Sequence, residues 1–305
     1  METETLKLHE IKQSTQNYVV AIGFFDGLHL GHQALIREVL KVAKEKSLMP
    51  AVMTFPSHPL AVLNGVKTTS LTSLADRLDL LEAMGIEKVF LIDFNKEVAA
   101  LSAQAFIDAY LMPNNVKHVV VGYDFRFGDH NKGDIHDLDH QSFALSVVDP
   151  IMYNKEEKVS STFIKNLLTQ GHIRDANRLL TRPFTIKGEV IHGKQRGRLM
   201  GYPTANVDYD HYFVPRRGVY GVKVKVKGQT YDGMANIGRN PTFDDIFKDS
   251  LEIYIFDFQD DIYGEMMDVY FYAFTRPEAV FKNMEELKAR LDADALEVRE
   301  LMKQF

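Results

Sequence analysis

Between Tyr18 and Val148, short apolar runs alternate with longer runs in which apolar residues recur at helical spacing, and from Phe184 that alternation stops. The runs 18–25, 51–55, 89–94, 119–123 and 142–148 read as buried strands, and 30–46, 74–84 and 101–111 as the helices between them. Gly85 and Gly171 stand where helices should stop, the second after a helix that begins past Ser160-Ser161-Thr162 and precedes a short one at 175–180. Strands alternating with helices imply a parallel sheet, whose ligands sit beyond the carboxyl ends of the strands. After Phe184 the pattern is strand-like: 222–226 alternates with lysines, Lys227-Gly228 marks a turn, and 251–258 and 267–274 follow. From Asn283 onward, Met284, Leu287, Leu291, Ala295, Val298 and Met302 share one helical face. The expectation is an α/β domain over 1–182, then an antiparallel β-barrel with a packed terminal helix over 183–305, with the boundary at Arg182-Pro183. At 305 residues two domains fit the roughly 150 residues usual for each.

Composition removes several function classes. The chain has no cysteine, which excludes disulfides, thiolate metal sites and a cysteine nucleophile. A net charge of −6 argues against a binder of DNA or RNA and leaves small phosphate-rich molecules as partners for local basic clusters. The start METETLKLHEIKQSTQ is polar where an export signal would be basic and then apolar, and no stretch reaches 18 uninterrupted apolar residues. The expected setting is cytoplasmic, without membrane or nucleic-acid partners, with at most weak homo-oligomerisation.

Three strand ends are chemically loaded. After the first comes Gly23-Phe24-Phe25-Asp26-Gly27-Leu28-His29-Leu30-Gly31-His32, in which glycines allow close approach to a backbone and two histidines stand three apart at a helix start. Such histidines can share one face and donate to phosphoryl oxygens whose charge grows during nucleotidyl transfer. Alone, a His-x-x-His pair reads equally as decorative or metal-binding. After the later strands come Thr54-Phe55-Pro56-Ser57-His58-Pro59 and Gly122-Tyr123-Asp124-Phe125-Arg126-Phe127-Gly128. Asp124 can meet a ribose hydroxyl, an adenine amine or a flavin-side group, and Phe125 and Phe127 offer apolar surface to a planar ring. Ser160, Ser161 and Thr162 can cap a helix start, where Lys165 adds positive charge.

The first of these strings resembles the His-x-Gly-His signature of the nucleotidyltransferase superfamily, and more narrowly the start of bacterial bifunctional riboflavin kinase/FMN adenylyltransferases. The segments at 54–59, 121–128 and 159–165 are similar to that family's next three motifs, in the same order. The resemblance implies a Rossmann-like first domain that transfers AMP from ATP to FMN, with His29 and His32 catalytic. It implies nucleotide and flavin contacts from Gly23, Phe24, Phe25, Asp26, Gly27, Gly31, His58, Asp124, Phe125, Arg126, Phe127, Ser160, Ser161, Thr162 and Lys165. This chain departs from the family's usual residues at Phe24 (commonly Asn), at Lys165 (usually Arg), and at Asn131 and Lys132, where the family has Arg.

The second half carries Gly193-Lys194-Gln195-Arg196-Gly197-Arg198-Leu199-Met200-Gly201-Tyr202-Pro203-Thr204-Ala205-Asn206. Its glycines and bases can fold over a polyphosphate, although the spacing is not that of a P-loop. Thr204 and Asn206 supply neutral oxygens of the kind magnesium accepts beside waters and nucleotide phosphates. The string resembles the flavokinase motif Gly-x-Pro-Thr-Ala-Asn, and Gly218-Val219-Tyr220-Gly221 and 236–243 extend the likeness. It implies a flavokinase-like barrel that phosphorylates riboflavin. Nucleotide and flavin contacts would come from Gly193, Arg196, Gly197, Arg198, Gly201, Pro203, Thr204, Asn206 and Asn236, magnesium ligands from Thr204 and Asn206, and the base from Glu252. Tyr254 stands where such families often have His, and Pro277 and Ala279 break their usual basic and aromatic pattern.

The expected activity is conversion of riboflavin to FMN and then of FMN to FAD, with Mg2+ and ATP, releasing ADP and pyrophosphate. Two other readings are weighed beside it: a single-function FMN adenylyltransferase with a degenerate kinase domain, and a flavin-binding regulator without turnover.

Overall fold

The computed structural model describes residues 1–65, 68–193, 201–240 and 248–305. In chain order, the first elements are β1 (Glu2–Leu6), β2 (Tyr18–Ile22), α1 (Leu30–Lys46), β3 (Met49–Thr54), α2 (Pro59–Asn64), α3 (Leu74–Ala83) and β4 (Lys88–Ile92). They continue with α4 (Lys96–Ala99), α5 (Ala103–Phe106), β5 (Val116–Gly122), α6 (Ile135–Asp139), β6 (Ala144–Val148), α7 (Ser161–Gln170) and α8 (Ile173–Leu180). The last are β7 (Phe184–Ile191), β8 (Ala205–Asp208), β9 (Gly218–Val226), β10 (Gln229–Asn240), β11 (Lys248–Ile255), β12 (Met266–Pro277) and α9 (Met284–Met302). The chain divides into two compact units, Met1–Ser161 and Thr162–Phe305.

The first unit is a parallel sheet in the order β1-β4-β3-β2-β5-β6. Its strands read as unbroken apolar runs because both faces are buried. Val20 and Ile22 join the cluster around Met53, Phe90 and Val119, and Val19 and Ala21 join the cluster with Ile36 and Val39 of α1. From β2 the chain steps outward through β3 to β4 and then returns to the other side of β2 with β5. The strand order therefore reverses between β2 and β5, where open sheets of this kind bind their ligands.

Two expectations change here, and one strand is new. Strand β2, expected over 18–25, ends at Ile22, so Gly23, Phe24 and Phe25 belong to the loop. The helix expected over 101–111 is a short α5 followed by a wider π-type turn at Ile107–Leu111, which buries Ile107, Tyr110 and Leu111 together. The acidic start of the chain supplies β1, an edge strand pairing with β4 through its backbone, exposed at every side chain but Leu6. Glu2 and Glu4 on it reach Lys88 Nζ at 2.5 and 2.6 Å, which explains a lysine only 3% exposed.

The second unit is a closed antiparallel barrel in the order β10-β11-β8-β7-β12-β9. The helices after Ser161 go with it: the Asn177 side chain donates to the carbonyl of Phe271 at 2.8 Å and accepts from the amide of Phe184 at 2.7 Å. The compact division thus falls before α7 and α8 rather than at Arg182-Pro183. Val298 and Met302 of α9 pack on Val219, Met234 and Phe256, with Leu291 and Ala295 beside them. Met284, expected on that face, is 55% exposed, because the helix's packed stripe begins a turn later.

Near the middle of α9, Asp294 is 1% exposed and held by Arg276 at 2.9 Å and Arg290 at 2.8 Å. Asp294→Ala removes these charge-assisted hydrogen bonds and leaves two arginines that can reach solvent, so it is expected to destabilise the protein by about 1–3 kcal/mol in denaturant unfolding. Asp294→Asn, which keeps the shape and one acceptor, is expected to lose less.

Candidate functional site

The loop after β2 is a tightly determined piece of backbone. Phe25 (φ 57°) and Leu28 (φ 39°) occupy the left-handed region that side chains other than glycine avoid, and Gly27 (φ 81°) sits between them. The surroundings hold this conformation. The Asp26 carboxylate accepts from the amides of Leu71 at 2.7 Å and Thr72 at 3.2 Å, Gly27 N–H donates to Thr72 Oγ1 at 3.0 Å, and Ser161 Oγ donates to the carbonyl of Asp26 at 2.8 Å. The Asp26 carboxylate, expected among the nucleotide and flavin contacts, is turned to the 71–72 backbone and holds the loop.

His29 caps α1: its Nδ1 accepts the His32 amide at 3.4 Å. In a neutral ring an accepting Nδ1 puts the proton on Nε2, which makes Nε2 the donor. The rings of His29 and His32 are stacked with centroids 3.7 Å apart, and Phe25 meets His32 edge-on at 5.2 Å. Burial, then the neighbouring His29, then Arg77 hold His32 well below the usual histidine range, so it is neutral at pH 7. Its Nδ1 is buried without a hydrogen-bond partner. Gly31 allows this packing: a Cβ there would lie 3.2 Å from the His29 ring and 3.5 Å from the carbonyl of Val159.

Arg77 of α3 is a residue the sequence reading missed. It is 2% exposed, and its guanidinium donates to the carbonyls of Phe24 at 2.7 Å, Phe55 at 3.1 Å and Pro56 at 3.0 Å, and to Thr54 Oγ1 at 3.3 Å. Burial lowers its pKa to about 10, with Asp26 acting in the opposite direction. One signal pointed to it: Leu74, Arg77, Leu78 and Leu81 fall on one helical face, so the arginine stands in an apolar stripe.

The other strand ends lie on either side. Beyond β3, His58 caps α2 by accepting the Leu60 amide at 3.2 Å, and its ring meets Phe24 at 4.8 Å. Beyond β5, Asp124 pairs with Lys158, and Arg126 with Asp134 at 2.9 Å. Phe125 and Phe127 are stacked at 5.5 Å, but Phe127 is 7% exposed and packs on Phe106, so Phe125 is the ring left half-buried. Phe127 was expected to offer surface to a ligand ring; the sheet's own core occupies it. Ser160 closes the first unit beside Ser161, and Thr162 and Lys165 fall in the second, where Lys165 Nζ lies 5.9 Å from the Phe213 ring.

In the barrel, β8, β11 and β10 run side by side, with Asn206 opposite Glu252 and Glu252 opposite Asn236. Directly paired residues share a face, so these three polar side chains form a row across three strands. Leu251, Ile253 and Ile255 point the other way and are buried, which is why Glu252 is left half-buried on the row's face. Tyr254 stands beside it, edge-on to Tyr202 at 4.9 Å and to Phe256 at 5.6 Å, so the tyrosine at that position is a packing residue. Gly193 abuts Asn206 so closely that a Cβ would fall 2.0 Å from the amide nitrogen. Pro203, Thr204 and Ala205 flank a cavity of about 480 Å³ that also reaches Ile253, Asp261 and Tyr263, and the Tyr263 ring stacks on His192 at 3.7 Å. Gly201 carries a φ of 83° in the turn before it. Arg196, Gly197 and Arg198, with Pro241, Thr242 and Phe243 of the extended motif, lie outside the described residues.

Among the described residues no group of three or more His, Cys, Asp or Glu is placed to hold a metal ion, and no helix is long and apolar enough to cross a membrane. The donors near Asn206 are instead amide and hydroxyl oxygens beside one carboxylate. That donor set fits a magnesium ion that keeps its waters and shares its coordination with phosphates.

Both halves match known families: residues 11–163 match the FAD synthetase family model, and residues 180–302 the riboflavin kinase model. A bifunctional riboflavin kinase/FMN adenylyltransferase of Listeria monocytogenes is 42% identical over 93% of this chain and 92% of its own. The Bacillus subtilis protein of the same name is 40% identical over 95% and 94%. Among solved structures, a Streptococcus pneumoniae chain described as a macrolide-efflux protein superposes with a TM-score of 0.89 at 35% identity, covering 97% of this chain and 98% of its own. With a matching model on each half and relatives similar along nearly the whole length, the chain belongs to the bifunctional riboflavin kinase/FMN adenylyltransferase family.

Proposed function

We propose that the parallel-sheet domain transfers AMP to FMN at the β2–β5 crevice, and that the barrel phosphorylates riboflavin on the face carrying Asn206 and Glu252. The observation that carries the first assignment is the stacked His29–His32 pair at the start of α1, with His32 neutral, on a rigidly held loop. It is supported by the matched ranges, FAD synthetase over 11–163 and riboflavin kinase over 180–302.

In adenylyl transfer a phosphate oxygen of FMN attacks the α-phosphorus of ATP, the bond to the β-phosphate oxygen breaks, and pyrophosphate leaves. No covalent enzyme intermediate is required. The protein's work is to place both substrates in line and to stabilise charge on the α-phosphoryl oxygens, which is the role of His29 Nε2–H and the His32 ring. Gly23, Gly27 and Gly31 keep the backbone low enough for phosphates to reach the helix start. Asp124 and the half-buried Phe125 receive the ring or ribose of a substrate, with Ser160 and Ser161 on the triphosphate.

In the kinase step the riboflavin 5′-hydroxyl loses its proton to Glu252 as its oxygen attacks the γ-phosphorus, and ADP leaves. Thr204 and Asn206 hold Mg2+, which offsets phosphate charge when bound. Tyr254 packs on Tyr202 and Phe256 and leaves the row of Asn206, Glu252 and Asn236 intact, which favours a working kinase over a degenerate one.

The test is a chromatographic time course started from riboflavin and, separately, from FMN, each with ATP and magnesium. FAD is expected from both. A sharper check lies at Gly193: in Gly193→Ala the new methyl would displace the Asn206 amide, and FMN formation is expected to fall on the order of tenfold or more while FAD formation from FMN is unchanged.

A further inference from the structure

We infer that Arg77 is a positioning residue for FMN adenylylation, a cationic clamp that aligns the ends of β2 and β3 and, through Phe24, sets the ring of His58. This rests on the sheet domain being the adenylylation site. Three observations converge. The guanidinium is buried and reaches acceptors on both strand ends: the Phe24 carbonyl beyond β2, and Thr54 Oγ1 with the Phe55 and Pro56 carbonyls at β3. The same group lies 4.4 Å over the face of the Phe24 ring, which meets the His58 ring in a T-shaped contact at 4.8 Å, so Arg77, Phe24 and His58 form one chain of contacts. Thr54 Oγ1 also donates to the Phe24 carbonyl at 3.2 Å, which couples the two strand ends a second time.

Carbonyl oxygens exposed at strand ends repel one another and would otherwise be met by water. A planar guanidinium offers divergent donors in one rigid frame, which a lysine cannot reproduce. Phe24 gives the clamp an arm: its backbone is held by the guanidinium while its ring is held under it. His58 thus takes its place from α3, an element that carries none of the motif residues.

The test uses the full chain, whose kinase activity on riboflavin serves as an internal measure of folding. Arg77→Met, which keeps the stem and removes the fork, is expected to lower kcat for FAD formation from FMN by about 10²-fold with KM for FMN and ATP changed less than about threefold. FMN formation from riboflavin is expected to stay at the wild-type rate. Arg77→Lys restores the charge and part of the bonding, and is expected to recover about tenfold of the loss. Phe24→Leu leaves the carbonyl bonds in place and removes the ring contacts; it separates the arm from the clamp if Arg77→Met does not fold, and is expected to slow FAD formation on its own. Because the Phe24 arm acts through His58, Phe24→Leu combined with His58→Ala is expected to be no worse than the more damaging single variant, whereas independent roles would multiply. Multiplying losses, a wild-type kcat in Arg77→Met, or equal losses in both activities would each overturn the inference. Absence of FAD formation in the unaltered protein would instead remove the adenylylation assignment, and Phe24–His58 coupling would have no reaction to serve.

Discussion

FAD formation from FMN is expected to fall about 10²–10³-fold when His29 is replaced by Ala, the loss that follows removal of one well-placed donor to a developing phosphoryl charge. The riboflavin kinase rate of the same preparation should be unchanged, because His29 lies in the sheet unit and the kinase row lies in the barrel. His29 also caps α1, and loss of a cap costs about 0.5–2 kcal/mol, so Ala alone confounds catalysis with stability. His29→Asn resolves this. Asn is a good cap, so it should restore thermal stability, but its amide is too short to donate from the position of Nε2, and the catalytic loss should persist. Recovery of FAD formation in His29→Asn would show that capping, rather than charge stabilisation, is what His29 contributes.

FMN formation from riboflavin should fall on the order of 10²–10⁴-fold in Glu252→Gln, the range lost when a positioned base is removed. Gln matches Glu in shape, so the cross-strand row with Asn206 and Asn236 survives and KM for ATP should change little. FAD formation from supplied FMN is the control and should match the unaltered protein. A kinase rate within about threefold of normal would mean that the hydroxyl proton leaves by another route and that Glu252 serves only the row's packing.

The α/β half was legible because burial on both faces turns strands into unbroken apolar runs, as in Tyr18–Ile22, and because glycines with positive φ at Gly85 and Gly171 end helices where they stand. The loaded loops were legible for a related reason: glycine, histidine and polar residues crowd where apolar runs stop. Strand β1 was not, since an edge strand is paired by its backbone, and Glu2, Thr3, Glu4 and Thr5 carry no apolar alternation to betray it. The break in the helix over 101–111 was hidden because a π-type turn keeps the apolar composition of a helix and changes only its spacing. Phe125 and Phe127 looked equivalent until the core claimed one of them.

The sequence by itself determined the two architectures, an alternating α/β half and then a β-rich half, because periodicity and glycine placement are local properties of the chain. Tertiary structure alone decided which strand ends face one another, that Asn206, Glu252 and Asn236 form one row, and that Arg77 is buried where it can clamp β2 to β3. Register, strand order and desolvation arise between segments far apart in the chain. An arginine on an apolar helical face becomes a clamp only when four acceptors from two other elements are brought around it.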